Sequence, residues 1–112
     1  MALGHQTCAV LGNDQDVIDK LLEAGETSLD FAWQLPIKDT YKKQLRSEYA
    51  DLANIGTPGA GTITAAAFLS HFTEDFKWAH LDIAGTAWGG AVGKRASGRA
   101  VPILSQYLID NC

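Results

Sequence analysis

Along the chain, apolar positions recur in places at helical spacing and in one segment at every second residue. Residues 6 to 11, QTCAVL, form a short apolar run that predicts a strand, and Gly12 turns the chain out of it. Val17, Leu21, Ala24 and Leu29 then recur at spacings of three to five, which predicts an amphipathic helix over 14 to 28 with Asn13 offering the N-cap. Gly25 costs that helix about 1 kcal/mol relative to alanine. Pro36 ends the segment that follows, and DTYKKQLRSEYADLANI sets Tyr41, Leu45, Tyr49 and Leu52 on one helical face. A third helix is expected from Thr62 or Thr64 to Phe72, where Ala65, Ala66 and Ala67 permit close backbone approach and Phe68, Leu69 and Phe72 supply bulk, so that it should be well buried.

In residues 77 to 83 the period drops to two: Trp78, His80 and Asp82 alternate with Ala79, Leu81 and Ile83, and the second set should face the core. A glycine-rich loop from Gly85 to Gly98 leads into a last helix that tolerates Pro102 in its first turn and shows Val101, Leu104, Tyr107 and Leu108 as its apolar stripe. Helices alternating with few strands indicate an α/β layer with only part of its sheet present.

Composition narrows the function more than the fold. With 112 residues the chain suits one domain. A formal net charge of -4 disfavours nucleic acid, whose phosphates need a basic face. The cluster of Lys94, Arg95 and Arg99 could hold one carboxylate or phosphate group, not a polymer. Cys8 and Cys112 stand at opposite ends with no CxxC between them, so reduced thiols in the cytoplasm are expected. The opening MALGHQTCAVLG has neither the charge nor the apolar run of a leader or a membrane span, and its abruptness reads as that of a truncated chain.

Chemistry-bearing residues are scattered. A P-loop fails because Lys94 is followed by Arg95 and not by a small hydroxyl residue, and GTPGAG before a helix lacks the spacing of a dinucleotide fingerprint. His5, His71, His80, Asp75, Asp82 and Cys8 could ligate a metal. Only His80 and Asp82 share a strand face, however, and a site needs three or four ligands; a polar network or plain packing serves the pair as well. Ser70 and Ser105 have no nucleophile motif around them. Trp88 in its glycine loop is either an anchor for a small core or the wall of a ligand pocket or interface. Ala84 and Ala87 clear volume where α/β proteins place ligands, as the floor of an apolar pocket or as tight packing beneath a loop.

DTYKKQLRSEYADLANIG, GTITAAAFLSHF, KWAHLDIAGTAW and SGRAVPILSQYLI together resemble the C-terminal end of the leucyl (cytosol) aminopeptidase family, two-metal enzymes that remove N-terminal residues from peptides. The likeness runs in unbroken order from Ala2 to Leu108. It implies an α/β fold in which residues 1–112 are one incomplete domain, a partial mixed sheet flanked by helices from the C-terminal part of the catalytic domain. By the same resemblance, Ile55, Ala84 and Ala87 match positions lining the S1 pocket for the substrate's first side chain, which should be apolar. The family's two divalent ions, Mn or Zn, are held by motifs such as DTDAEGR that do not occur here, and Asp82 matches an aspartate that is not a ligand. The isolated chain is therefore expected to bind no metal and to be inactive. Its expected partners are peptide substrates in the complete enzyme, copies of itself as in the family hexamer, or the missing N-terminal part, with no nucleic acid and no membrane. The alternative is a non-catalytic oligomerisation or binding module derived from the same domain.

Overall fold

The computed structural model describes residues 3–42, 59–89 and 93–112. Its elements run β1 (Cys8–Gly12), α1 (Gln15–Ser28), β2 (Ala32–Gln34), α2 (Asp39–Lys42), α3 (Gly61–Ser70), β3 (Ala79–Asp82) and α4 (Val101–Asn111). The expected α/β class is what the structure shows: a three-stranded mixed sheet, ordered β2-β1-β3, with helices on both faces. β1 is central, parallel to β2 with Cys8 opposite Ala32, and antiparallel to β3 with Ala9 opposite Asp82.

The alternation of β1 builds two cores. Ala9 and Leu11 point to one face, where they meet Ala66 of α3 and Ile63, Leu35, Ile37 and Trp78. Val10 points to the other, against Ile18 and Leu21 of α1, Ala79 and Leu81 of β3 and Tyr107 of α4. Ala79 and Leu81 thus face a core as the two-residue period predicts, whereas Ile83 lies past the end of β3 and is exposed. Gly12 is required where the two strands meet, since a Cβ there would collide with the Trp78 carbonyl oxygen.

Several expectations are corrected. The N-cap of α1 is Asp14 and not Asn13: its carboxylate accepts from the Val17 N–H at 3.0 Å. Asn13 instead clasps the chain ahead of β3, its Nδ2 donating to the carbonyls of Thr73 and Phe76 and its Oδ1 accepting from the Trp78 N–H at 2.7 Å. Leu29 is 74% exposed because it caps α1 in the left-handed region, at φ 59°, and so leaves the helix's buried face. In α4 the inward residues are Ile103, fully buried, and Tyr107, while Val101, Leu104 and Leu108 of the expected stripe face outward. Two apolar sets at helical spacing coexist on that helix, and docking against α1 chose between them. α3 ends at Ser70, so Phe72 lies past it and is 65% exposed, and within the helix Ala66 and Ala67 are buried while Ala65 and Leu69 are exposed. β2 was not anticipated, being three residues long and too short for a period to register. The helical face of Tyr41, Leu45, Tyr49 and Leu52 lies outside the described side chains.

Candidate functional site

The turn that leaves β3 carries two of the three residues matched to a substrate pocket. The Ile83 carbonyl accepts from the N–H groups of Thr86 and Ala87 at 3.0 and 2.9 Å, and the Asp82 carboxylate accepts from the Ala84 N–H at 3.0 Å, so the chain bends sharply at Ala84. His5 Nδ1 lies 2.7 Å from the Gly85 carbonyl oxygen. Ser97 closes the far side, its N–H donating to the Ala87 carbonyl at 2.8 Å and its hydroxyl to the Thr86 carbonyl. Trp88 pairs with Ala96 in an isolated antiparallel bridge. Within this frame Ala84 is exposed, Ala87 is half-buried and Gly85 and Thr86 are buried. The geometry brings Ala84 and Ala87 to one turn; Ile55 lies outside the described residues. Trp88 is 60% exposed and so is no core anchor.

Electrostatics fix the base of the turn. Burial alone would push the Asp82 carboxyl up, but hydrogen bonds from the Ala84 N–H and the Thr62 hydroxyl, with His80 nearby, outweigh it and hold the group below its ordinary value. Asp82 therefore stays charged and keeps Ala84 in place. It also lines, with Leu3, Gly4, Thr7, Ala9, Thr62 and Gly85, a pocket of about 10 Å³, far too small for an amino-acid side chain. Desolvation lowers the His80 pKa against the opposing pull of Asp82, and its ring stacks on Trp78 with centroids 6.1 Å apart. His80 is thus a packed, neutral side chain at pH 7.

The remaining candidates disperse. Among the described residues, no three of His, Cys, Asp and Glu converge to hold a metal ion, so the donors present do not fit a two-metal centre. Cys8 is a buried free thiol whose pKa is raised by desolvation and then by Asp30, and Cys112 is free and exposed. The Ser70 hydroxyl donates to the Ala67 carbonyl at 2.7 Å, an ordinary use of a helix serine. Arg99 leaves the expected basic cluster: its Nε donates to buried Asp30 at 2.6 Å, while Lys94 and Arg95 lie exposed. The other Asp30 oxygen accepts from the Ile103 N–H at 3.3 Å, so one carboxylate joins the end of α1, the loop before α4 and α4 itself. A lone acid in the apolar stretch SLDFAW was the sequence signal for this clasp.

Comparison with known proteins places these features in a family. Residues 1–105 match the catalytic domain of the cytosol aminopeptidase family. The chain is 61% identical over 108 residues to a probable cytosol aminopeptidase of Neisseria meningitidis, covering 96% of this chain and 23% of that protein. Probable cytosol aminopeptidases of Stutzerimonas stutzeri and Nitrosomonas europaea are 60% and 56% identical, each over 98% of this chain and 22% of their own length. The chain thus spans less than a quarter of the length of these relatives. With nearly all of its residues matched, the chain belongs to the cytosol aminopeptidase family and carries part of that family's catalytic domain.

Proposed function

We propose that residues 1–112 form the C-terminal portion of the catalytic domain of a cytoplasmic metallo-aminopeptidase, which releases N-terminal, preferably apolar, residues from peptides. The observation that carries this reading is the family match over residues 1–105. Within it, Ile55, Ala84 and Ala87 supply one wall of the S1 pocket. Ala84 is suited to that role because it is small, exposed and held by the Asp82 carboxylate at a sharp turn. Such a wall discriminates by volume, at about 1 to 3 kcal/mol per methylene. The two divalent ions, Mn or Zn, belong to the rest of the enzyme, and no hydrolytic step runs through the described residues. The complete enzyme assembles as a homo-oligomer.

The test is a chimera of the Neisseria meningitidis relative carrying this chain in place of its matching segment. Ala84→Leu or Ala87→Leu should lower kcat/KM for leucyl substrates relative to alanyl ones by about tenfold, from a clash of about 1 to 3 kcal/mol, at unchanged metal content. An unchanged ratio in both variants, with melting temperatures intact, removes the two alanines from the pocket. A second reading, a non-catalytic binding or oligomerisation module, draws on the large apolar residues left exposed, Trp33, Phe72 and Trp88 among them. An active chimera with a silent isolated chain, in Mn, Zn or Co, fits the first reading; an inactive but folded and assembled chimera favours the second.

A further inference from the structure

Three successive carbonyls of the turn after β3 are each taken by a group from outside that turn. The Gly85 carbonyl oxygen lies 2.7 Å from His5 Nδ1, which must be the donor, because a carbonyl oxygen only accepts. The Thr86 carbonyl accepts from the Ser97 hydroxyl, and the Ala87 carbonyl accepts from the Ser97 N–H at 2.8 Å. Thr86 is buried, so its carbonyl would be left poorly satisfied without that hydroxyl. The His5 ring is also seated against the loop: at Gly89, where φ is 82°, a Cβ would stand 3.2 Å from His5 Cε1. Glycine serves twice there, for the left-handed backbone and for the approach of the ring. Both arms return to one residue. Arg99 donates from its backbone N–H to the Ser97 hydroxyl at 3.1 Å and reaches the His5 carbonyl from Nη1 at 3.4 Å, while its Nε is fixed on buried Asp30 at 2.6 Å. The clamp is thus anchored on a buried carboxylate and not in the loop that it holds.

We propose that His5 and Ser97 are positioning residues for substrate specificity: by holding the Gly85, Thr86 and Ala87 carbonyls they fix where Ala84 and Ala87 stand, and so how closely that wall meets an apolar side chain. The consequence for substrates rests on the pocket reading of Ala84 and Ala87; the clamp rests on the hydrogen bonds alone. A wall made of small residues discriminates by volume only while it keeps its place, and its own supports set how well it does so. Freed of either arm, the turn gives way and loses contact with a large side chain. An alanyl side chain is too short to reach the wall and is indifferent to the change.

The test uses the Neisseria meningitidis chimera. His5→Leu is compared with His5→Asn, since the two replacements are near-equal in size but only asparagine keeps a donor in the place of Nδ1. Ser97→Ala is made on the other arm, so that either arm decides the matter if one variant fails to fold. Hydrogen exchange of segment 83–89 is followed by mass spectrometry, and kcat/KM is measured for leucyl and alanyl substrates. His5→Leu and Ser97→Ala should speed exchange of that segment by about threefold or more. They should also lower the leucyl-to-alanyl ratio by about threefold to tenfold, chiefly through the leucyl KM, with metal content and alanyl kcat unchanged. His5→Asn should stay near the parent in both. Unchanged exchange, equal losses in His5→Leu and His5→Asn, or kcat falling alike for both substrates each overturns the proposal. Ala84→Leu separates the clamp from the pocket. A ratio moved by Ala84→Leu but by neither clamp variant overturns the clamp and keeps the pocket. Exchange speeded by His5→Leu and restored by His5→Asn, with a ratio unmoved by Ala84→Leu and Ala87→Leu or a chimera without turnover, keeps the clamp and sinks the pocket reading.

Discussion

On the α1 and α4 face of the sheet, closure includes a long-range ion pair as well as apolar contact; on the α3 face, it rests on apolar contacts of Ala66, Ile63, Leu35, Ile37 and Trp78 and on the hydrogen bond from Thr62 to Asp82. Asp30, at the end of α1, binds Arg99 and the Ile103 N–H across some 70 residues of sequence, and Gly25 lets Ile103 approach the α1 backbone. Across the sheet, Ala66 covers Ala9 and Leu11 by close approach, and Phe72, past the end of α3, is exposed with its ring tilted against that of half-buried Phe68 at 5.4 Å. The first face is thus tied by an ion pair between the segment after α1 and the loop before α4. Both faces leave large apolar side chains exposed, Val101, Leu104 and Leu108 of α4 on the first and Leu69 and Phe72 on the second, which teaches that the two differ in the ion pair that ties one of them together and not in how much apolar surface finds cover.

The sharpest break would come from Asp30→Ala. It strips Arg99 of its partner and leaves the buried Ile103 N–H without an acceptor, at an expected cost of about 3 to 5 kcal/mol. Urea unfolding measures it, and a loss below about 1 kcal/mol would mean the clasp is not what seals the α1 and α4 face. Leu11→Ala probes the other face and should cost about 2 to 5 kcal/mol, since Leu11 is fully buried, with the smaller values expected if the loosely covered α3 settles into the cavity. A cost well above that of Asp30→Ala would invert the comparison.

Gly25→Ala tests the close approach directly. In an ordinary helix the change gains about 1 kcal/mol, yet here the new Cβ would stand 2.9 Å from the Asp30 carbonyl oxygen and 3.2 Å from Ile103 Cδ1. Overpacking should reverse the sign and cost about 1 to 3 kcal/mol. A stabilised variant would show that α1 and α4 are not tightly seated.

The smallest effect is a pH dependence from β3. His80 has its pKa lowered from an ordinary 6.5 by burial, so the unfolded chain binds the proton more readily than the folded one. Its contribution is complete above pH 6.5 and is lost as pH falls through the lower, folded value. The Asp82 contribution has the same sign but sets in further down, below its ordinary 3.8. Melting temperatures compared between neutral and mildly acid pH should fall in the native chain and fall less in His80→Gln. Parallel slopes for the two would show that His80 is not buried in the folded state.

The sequence by itself determined α1, β3 and α4 from helical or two-residue spacing, β1 from a short apolar run and α3 from an alanine-rich stretch with bulky residues after it. It determined the family as well, since ADLANIG and WAHLDIAG lie in the right order and separation, and it brought Ala84 and Ala87 forward as small residues where a strand ends. Only the tertiary structure decided which side of α4 is buried, for Ile103 and Tyr107 compete with Val101, Leu104 and Leu108 at equally helical spacing and the outcome depends on the gap over Gly25. It likewise decided the roles of Asp30, Arg99 and Asn13, whose partners lie 60 or more residues away: a local pattern carries no record of a hydrogen bond closed only when distant segments meet. The order β2-β1-β3 belongs to the same class, because strand order is fixed by how helices cover the sheet's faces and not by the letters of any one strand.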